Sequence, residues 1–222
     1  MAQQVEYPGR LIAIEGTRGK DTAAAAAAVI EALKEAGIEA AISRFDASGL
    51  FGELAAAGRG DRNISMRTLT LVYAADLAFR LRWEIRPVLE AGGVVVAAPY
   101  VETAVAFGAA CGLTEEWIRE LLRFAPKPDL RARVAERKPD RGWKARLDRG
   151  YPEYCRAMLE SSAPKLASKR ARRHTMVLLD RPKGRTVVRL SEKGVNELVK
   201  IVTRSLQGAP RRSASKPRSG RK

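Results

Sequence analysis

The sequence predicts an α/β fold in which a parallel sheet is covered by helices on both faces. Short apolar runs that end at turn residues alternate with longer segments rich in alanine, leucine, lysine and glutamate, which is the order expected of strands and helices in α/β proteins. The runs are apolar at nearly every position, as in strands buried on both sides. With 222 residues, the chain is long enough for one large domain with a substantial core.

Five segments are predicted to be strands. Arg10–Glu15 is an apolar run that ends at a glycine turn, Glu39–Phe45 follows the first helical segment, and Gly93–Ala98 is valine and alanine after its glycine. Two later candidates are Met176–Asp180 and Arg185–Leu190. Because helix-length segments separate the first three runs, we expect these strands to be parallel.

The intervening segments are predicted to be helices. Asp21–Ala36 is rich in strong helix formers, and Gly37 is well placed to end it. Ser65–Gly92 is a long helix with apolar residues near helical spacing, and Pro87 is expected to bend its last turns. The other helical segments are Leu50–Gly58, Val101–Gly112, Thr114–Ala125 and Ser191–Leu206.

Two segments interrupt this alternation. Residues 131–149 are densely basic with little apolar periodicity, so we predict a mobile loop or a short exposed helix. Residues 208–222 hold six basic and no acidic side chains among glycine, proline and serine, and they are predicted to be a disordered basic tail. The domain then spans residues 10–207, behind an N-terminal extension of residues 1–9.

The charge of the chain is unevenly distributed. Residues 1–126 hold 13 basic and 16 acidic side chains, whereas residues 127–222 hold 28 basic and 9 acidic ones, and the net charge is +16. Such an asymmetry indicates either an anionic partner, for example a nucleic acid, or a basic tail.

Several classes of protein are poorly supported. No apolar run approaches the ~18 residues of a membrane span, and the first ten residues lack the pattern of a secretion signal, so we expect a cytoplasmic protein. Cys111 and Cys155 are expected to be reduced thiols, and the single histidine, His174, lies among arginines. We therefore predict neither a metal site nor a serine–histidine hydrolase.

A glycine-bearing turn joins the first strand to the alanine-rich helix. Such a turn is typical of loops that hold phosphate, where backbone N–H groups and the helix N-terminus supply positive potential. The candidate nucleotide-binding residues are Gly16, Thr17, Arg18, Gly19, Lys20, Asp21 and Thr22. A plain strand-to-helix connection that binds nothing is the alternative, and the residues leave both open.

Several stretches, in their order and spacing, resemble the thymidylate kinase family. They are "IEG" at Ile14–Gly16, "RF" at Arg44–Phe45, "LVYAAD" at Leu71–Asp76, "IRPVLEAGGVVV" at Ile85–Val96, "PYVETAVAF" at Pro99–Phe107 and "RFAPKPDL" at Arg123–Leu130. The resemblance covers most of the chain. It implies a three-layer P-loop kinase fold and transfer of the γ-phosphate of ATP to thymidine monophosphate with Mg²⁺.

The phosphate loop departs from the family's pattern, E-G-x-D-G-x-G-K-[ST]-T. Aligned without gaps, Gly16 and Gly19 keep two glycines, but Thr22 stands in place of the lysine. Shifting the frame by two recovers Lys20 and Thr22 as the functional pair, and it shortens the loop by two residues. Asp21 would also place a carboxylate beside the phosphates. Lys20 and Thr22 are the catalytic candidates if activity survives.

The family's second motif, Asp-Arg-Tyr after the third strand, is altered as well. Ala98, Pro99 and Tyr100 occupy its positions, so the carboxylate that serves magnesium and the arginine that serves the phosphates are both missing. Loss of one such electrostatic group typically lowers a rate by about 10²–10³. We therefore expect turnover to be lost or very weak, with ATP and Mg²⁺ as cofactors only if the kinase activity survives.

The nucleoside side of the site is better kept. The resemblance implies that Tyr73 stacks on thymine and Arg44 meets the monophosphate, with Arg80 compensating for an arginine that Leu77 replaces. The substrate-binding candidates are Arg44, Phe45, Tyr73, Asp76, Arg80, Tyr100 and Phe107, and the lid candidates are Arg137, Arg141 and Arg146. The alternatives are that the aromatic residues belong to the core, that Arg44 is a surface cation, and that residues 131–149 are a solvated run of charges.

Three functions remain open at this point. The first is a thymidylate kinase-like pseudo-enzyme that retains nucleotide binding, and the second is an active but divergent nucleoside monophosphate kinase. The third is a nucleic-acid-binding protein that uses the basic C-terminal half. By analogy with the family, the long helix Ser65–Gly92 is expected to pack against a copy of itself in a homodimer.

Overall fold

The fold is built around a six-stranded sheet. The computed structural model describes residues 6–16, 19–51, 53, 65–110, 112–135, 176–181, 184–189 and 192–207. The strands are β1 (Arg10–Glu15), β2 (Ala40–Arg44), β3 (Val94–Ala98), β4 (Leu130–Ala135), β5 (Met176–Arg181) and β6 (Gly184–Arg189), in the spatial order β2-β3-β1-β4-β5-β6.

Helices follow the strands in the order that the sequence predicts. They are α1 (Gly19–Glu35), α2 (Met66–Arg80), α3 (Arg86–Glu90), α4 (Val101–Ala110), α5 (Glu115–Leu121) and α6 (Glu192–Gln207). Gly37 ends α1 in the left-handed conformation, with φ of 74°, as predicted for a residue after a helix C-terminus.

The strands β2, β3, β1 and β4 form a parallel sheet, as predicted for the first three strands of the chain. β1 is parallel to both of its neighbours, with Ile12 opposite Val96 of β3 on one side and Leu130 of β4 on the other, and β2 is parallel to β3. β5 and β6 depart from the parallel arrangement, because each is antiparallel to its neighbour. Only two residues separate β5 from β6, and a parallel pair would need a crossover of about a dozen.

Helices cover both faces of the sheet, as predicted. Leu11 and Ala13 of β1 point into a cluster with the buried residues of α2, α4 and α5. Ile12 and Ile14 point to the opposite face, where they pack with α1 and with Leu198 of α6. This alternation along one strand, with period two, separates the core into two layers and gives a three-layer α/β fold.

The long predicted helix contains a wider turn near its end. A π-helical turn at Leu81–Ile85 joins α2 to α3, and Pro87 lies in the first turn of α3. Proline has no N–H to donate, and in a regular α-helix its ring would press on the carbonyl of Trp83, four residues earlier. A π-helical turn at this point relieves that contact. The π-helical turn thus lies just before the proline, and the bend expected at Pro87 stays a prediction.

The predicted loop or short helix at residues 131–149 is wrong at its start. Residues 131–135 belong to β4, in which Leu130, Ala132 and Val134 are buried. The strand is fixed against β1 from its first residue, because Asp129 accepts the N–H of Leu11 on its side chain (2.8 Å) and donates its own N–H to the Leu11 carbonyl (2.9 Å). The apolar residues of this segment alternate as in a strand, but the basic residues between them resemble those of a charged loop.

Some predictions fall outside the described residues. They are the lid candidates Arg137, Arg141 and Arg146, the basic tail of residues 208–222, most of the helix predicted at Leu50–Gly58, and residues 1–5 of the N-terminal extension. In the ranges that the structure covers, no helix is both long enough and apolar enough to cross a membrane.

The outer face of the long helix carries large apolar side chains. Leu71, Phe79 and Trp83 are 47%, 40% and 64% exposed. The homodimer expected from the family resemblance stays a prediction.

The closest backbone approach in the described core involves Gly9. A Cβ at this position would overlap the carbonyl oxygen of Gly93 and lie 2.8 Å from the Cα of Leu89, whereas a Cβ at Gly37 would meet open space. We expect Gly9→Ala to lower the free energy of unfolding by roughly 2–3 kcal/mol. Gly37→Ala should cost only about 1 kcal/mol, the penalty of a left-handed backbone. Chemical denaturation of both variants tests the difference, and equal losses would contradict it.

Candidate functional site

The carboxyl ends of β1, β2 and β3 meet at one edge of the sheet, which is where open α/β folds bind their ligands. Gly16 follows β1, Phe45 follows β2, and Pro99 follows β3. Arg44 lies opposite Ala98 at the ends of β2 and β3. The structure therefore brings the predicted phosphate and substrate segments together at a single edge.

The connection between β1 and α1 is short. β1 ends at Glu15 and α1 begins at Gly19, so only residues 16–18 separate them. Gly19 to Thr22, predicted to lie in a phosphate loop, instead form the first turn of the helix. Thr22 is buried, and a Cβ added at Gly16 would lie 2.6 Å from its Oγ1. The hydroxyl of Thr22 therefore packs against the backbone of Gly16.

The first backbone donor of this connection is used within the protein. The N–H of Gly16 donates to the hydroxyl oxygen of Thr103 in α4, at 3.2 Å. In a phosphate loop, by contrast, such N–H groups point at the ligand. Gly16, the described residue of the connection, is thus hydrogen-bonded to α4.

This arrangement does not fit a triphosphate with its magnesium ion. A phosphate loop of the G-x-x-x-x-G-K-[ST] pattern closes a ring of backbone N–H groups before its lysine and metal-binding hydroxyl. Here α1 begins at Gly19, so that Lys20 and Thr22 belong to its first turn. After β3, Ala98 and Pro99 supply neither a carboxylate nor a guanidinium. Within the ranges described, no group of three or more His, Cys, Asp and Glu side chains could hold a metal ion.

The carboxylate of Glu15 ties the end of β1 to the start of α4. One oxygen accepts the N–H groups of Tyr100 (3.1 Å) and Thr103 (3.0 Å) and the Thr103 hydroxyl, and the other accepts the N–H of Glu102 (3.0 Å). Two of these N–H donors belong to the first turn of α4, which an α-helix leaves unpaired. Burial raises the pKa of Glu15, and the four hydrogen bonds oppose that rise.

The residue pattern alone predicts no role for Glu15. The signal was an acidic residue at the end of an otherwise apolar, buried strand. A buried carboxylate requires several donors, and the N-terminus of a following helix is a common source of them. Glu15 acts here as a cap for α4.

Tyr100 is a buried structural residue. The Ala98–Pro99 bond that precedes it is cis. The Tyr100 hydroxyl donates to the carbonyl of Pro126 (2.9 Å), and its own carbonyl accepts the hydroxyl of Tyr73 (2.7 Å). Burial raises the pKa of Tyr100. The side-chain hydroxyl and the main-chain carbonyl of Tyr100 are thus both hydrogen-bonded within the protein.

The aromatic candidates form a packed cluster. Phe45 and Tyr73 are stacked, with ring centroids 5.2 Å apart and planes 17° apart, and each is 1% exposed. Phe51 meets Phe45 edge to face at 4.9 Å. Phe107 is also buried. Because Tyr73 is buried, a nucleobase could stack on it only if the residues around it moved.

Asp76 holds the turn that follows β2. Its carboxylate accepts the backbone N–H groups of Asp46 (3.2 Å) and Ser48 (2.9 Å), and also the Ser48 hydroxyl (2.9 Å). Asp46 has a φ of 60°, a conformation that aspartate tolerates better than most residues. The buried carboxylate of Asp76 therefore fixes the shape of the edge next to Phe45.

Arg80 is fully buried at the same edge. Its Nε donates to the hydroxyl of Ser43 (2.9 Å), and its Nη2 donates to the carbonyls of Ser43 and Pro99 (3.0 Å each). The guanidinium thus joins the end of β2 to the turn after β3. Arg44, the residue after Ser43, is half-buried.

The structure does not describe every candidate. Thr17 and Arg18 lie outside the described residues, and so do the side chains of Lys20 and Asp21. The roles assigned to these four residues stay predictions.

No protein-family model matches the chain. Similar proteins include a probable thymidylate kinase of Pyrococcus abyssi, 31% identical over 129 residues, which are 55% of this chain and 62% of the relative. The thymidylate kinase of Xanthomonas oryzae is 32% identical over 139 residues, 59% of this chain and 57% of the relative. A thymidylate kinase crystal structure from Ehrlichia chaffeensis has a TM-score of 0.49 at 17% identity, over 55% of this chain and 69% of that chain.

The chain spans about three fifths of the length of the curated relatives it matches. Relatives with the same description and similar coverage occur in further archaea, for example Thermococcus kodakarensis, at 32% identity over 128 residues.

Thr103 offers a direct test of the link between β1 and α4. Thr103→Val keeps the shape of the side chain but removes the hydroxyl that serves both Glu15 and Gly16. We expect the free energy of unfolding to fall by about 1–3 kcal/mol, because two buried groups lose a partner. The pKa of Glu15 should rise further, since the Thr103 hydroxyl is the strongest of the interactions that lower it.

A matched control is Thr70→Val. Thr70 is also buried in a helix, but its hydroxyl only donates back to the Met66 carbonyl (2.8 Å). This variant should lose less than about 1 kcal/mol. Denaturation and carbon NMR of the Glu15 carboxyl measure the two effects. A Thr103→Val protein as stable as Thr70→Val would rule out the proposed tie.

Proposed function

We propose that this chain, whose sequence relatives support its membership of the thymidylate kinase family, has lost or nearly lost ATP-dependent phosphorylation of thymidine monophosphate and still binds a nucleotide. The observation that carries this proposal is the connection of three residues between β1 and α1. It leaves too little backbone to surround a triphosphate in the way that a phosphate loop does.

The residues around the connection support the loss of phosphoryl transfer. Phosphoryl transfer depends almost entirely on positioning and on the stabilisation of charge on the transferred group. Ala98 and Pro99 can do neither, and the N–H of Gly16 is bonded to Thr103. Each missing electrostatic group costs about 10²–10³ in rate, and several are missing together.

Retention of a nucleotide is supported by the residues near the place where the monophosphate is expected. Arg44 is the last residue of β2, and the guanidinium of Arg80 donates to the carbonyls of Ser43 and Pro99 at the carboxyl ends of β2 and β3. The family resemblance puts the monophosphate at this place. The rings of Phe45 and Tyr73 are packed against each other, so recognition of the base would require them to move. We therefore propose that the phosphate, more than the base, accounts for binding.

A coupled assay with ATP and a panel of nucleoside monophosphates tests the loss of activity. We expect turnover of thymidine monophosphate at least about 10³-fold below that of an archaeal relative assayed in parallel. Lys20→Ala should leave this residual rate unchanged. Calorimetry with thymidine monophosphate alone should still show binding, because that contact needs neither ATP nor Mg²⁺.

The opposite result would support the active, divergent kinase. In that case the wild-type protein would turn over at a rate comparable to the relative, and Lys20→Ala would abolish it. Absence of both turnover and monophosphate binding would leave only the fold in common with the family.

Nucleic acid is a second candidate ligand, favoured by the charge of the C-terminal part. Residues 127–222 carry 28 basic and 9 acidic side chains. Contacts to phosphates release counterions, so the affinity of such a protein falls steeply with salt. The proposed binding is independent of sequence and is compatible with a nucleotide site elsewhere in the chain.

Removal of residues 208–222 tests this candidate. On a single-stranded oligonucleotide, log K should fall by about 0.7 per neutralised phosphate for each unit of log salt. We expect the truncated protein to show a shallower slope. A control in which the six basic residues of this segment become serine should behave like the truncation. A slope that does not change would exclude the tail from binding.

A further inference from the structure

The strands β4, β5 and β6 carry arginines on one of their two faces. β5 is antiparallel to both of its neighbours, so that residues in register form rows across the three strands. Every second residue of a strand lies on the same face. We call one of the two faces the arginine face; its members are Arg131, Arg133 and Ala135 of β4, Met176, Leu178 and Asp180 of β5, and Arg185, Val187 and Arg189 of β6.

The opposite face of these strands belongs to the core. Leu130, Ala132 and Val134 of β4 are buried and pack with α1 and α6. Among the described helices, α6 is the one with substantial contact to the β5–β6 hairpin. On the arginine face, by contrast, the side chain of Arg131 is 37% exposed and pairs with Glu102 of α4 (3.2 Å). For β4, the arginine face is therefore the side turned towards solvent.

The arginine face has a net positive charge. Its four arginines are accompanied by one acidic residue, Asp180, which is in register with Arg131 on one side and with Arg185 on the other. Arg133 and Arg189 are in register with apolar residues of β5. Like charges directly opposite each other destabilise a strand pair, and this arrangement avoids them. The positive charge can therefore accumulate without opposing the pairing of the strands.

The charges are spread over the face and do not converge on one point. Two residues apart along a strand, as for Arg131 and Arg133, is about 7 Å, and four apart, as for Arg185 and Arg189, is about 13 Å. β4 and β6 lie about 10 Å apart on either side of β5. A small anion would contact only one of these arginines at a time. A chain of phosphates can contact several, so the spacing favours a polyanion.

Apolar residues lie between the arginines on this face. Leu178 and Val187 are in the row of Arg133, and Met176 is in the row of Arg189. A duplex would set its outward-facing phosphates against these apolar positions, whereas a single strand can turn its bases towards them while its phosphates meet the arginines. The nine members of the face include no aromatic residue on which a base could stack, so binding is independent of sequence.

We propose that the arginine face is a docking surface for single-stranded nucleic acid. Arg133, Arg185 and Arg189 contact the phosphates, and the bases lie over Leu178 and Val187. This inference rests on the nucleic-acid binding proposed above and deepens it, because it names a folded surface and the kind of strand that the surface takes. The surface is separate from the tail of residues 208–222, which every variant below retains.

The salt dependence of binding to oligothymidylate tests the surface in the full-length chain. Replacement of Arg185 and Arg189 by glutamine should make the plot of log K against log salt shallower by about 1.4, because two phosphate contacts of about 0.7 each are lost. Replacement of both by lysine should keep the wild-type slope, since the charge is retained. A duplex of the same length should bind more weakly than the single strand to the wild-type protein.

The matched control replaces Lys34 and Arg82 by glutamine. Both residues are exposed, in α1 and in the π-helical turn, and neither belongs to β4, β5 or β6. This variant loses the same formal charge as the glutamine variant of Arg185 and Arg189. We expect it to keep the wild-type slope, because the contacts depend on the place of the charges as well as on their number.

Methyl NMR of the wild-type protein gives the answer even if the glutamine variant of the arginine face does not fold. Oligothymidylate should shift the methyl resonances of Leu178 and Val187. It should leave those of Val177 and Val188 unmoved, because these neighbours along the chain lie on the opposite face.

Four results would overturn the inference. The first is an unchanged slope in the glutamine variant of Arg185 and Arg189, which would assign binding to other basic residues such as the tail. The second is an equal loss in the control, which would make net charge the cause. The third is equal shifts of Val187 and Val188, and the fourth is equal affinity for the duplex. Absence of any binding by the wild-type protein would remove the proposed nucleic-acid binding as well, whereas turnover of thymidine monophosphate bears on neither.

Discussion

The length of the β1–α1 connection constrains the rest of the candidate site. With three residues between Glu15 and Gly19, the helix must start close to the sheet, and the hydroxyl of Thr22 packs on the backbone of Gly16. The N–H of Gly16, the described residue of this connection, donates to the Thr103 hydroxyl of α4. The strand, turn and helix follow in the order of a phosphate loop, and the first N–H of the turn, that of Gly16, is bonded within the protein.

The polar side chains at this edge have taken structural roles. Glu15 caps α4, Asp76 shapes the turn after β2, and Tyr100 bonds at both ends within the core. Each of these groups is buried and hydrogen-bonded, which is the condition under which a polar group can stay inside a protein. Arg80 differs, because one of its nitrogens has no partner.

Periodicity and turn residues predicted most of the fold, because they depend on local physical rules. The parallel core and the end of α1 at Gly37 follow from apolar runs and from the left-handed conformation that glycine tolerates. β4 was missed because Arg131 and its neighbours made the segment resemble a charged loop, although Leu130 and Val134 keep a period of two. The antiparallel pairing of β5 with β4, which sets Arg131 opposite Asp180, joins segments far apart in the sequence, which composition cannot report.

The sequence predicts which segments meet at the carboxyl ends of the strands, but not how their side chains pack. Resemblance located the edge, yet whether Tyr73 is open to a base or stacked on Phe45 depends on packing that the sequence does not state. Titration of isotopically labelled protein with Mg²⁺–ATP tests the central claim most directly, with the amide resonances of Gly16 and Gly19 as the readout. We predict that both stay unmoved at millimolar nucleotide. Saturable shifts at micromolar concentration would mean that the start of α1 opens into a working phosphate loop, and would contradict this account.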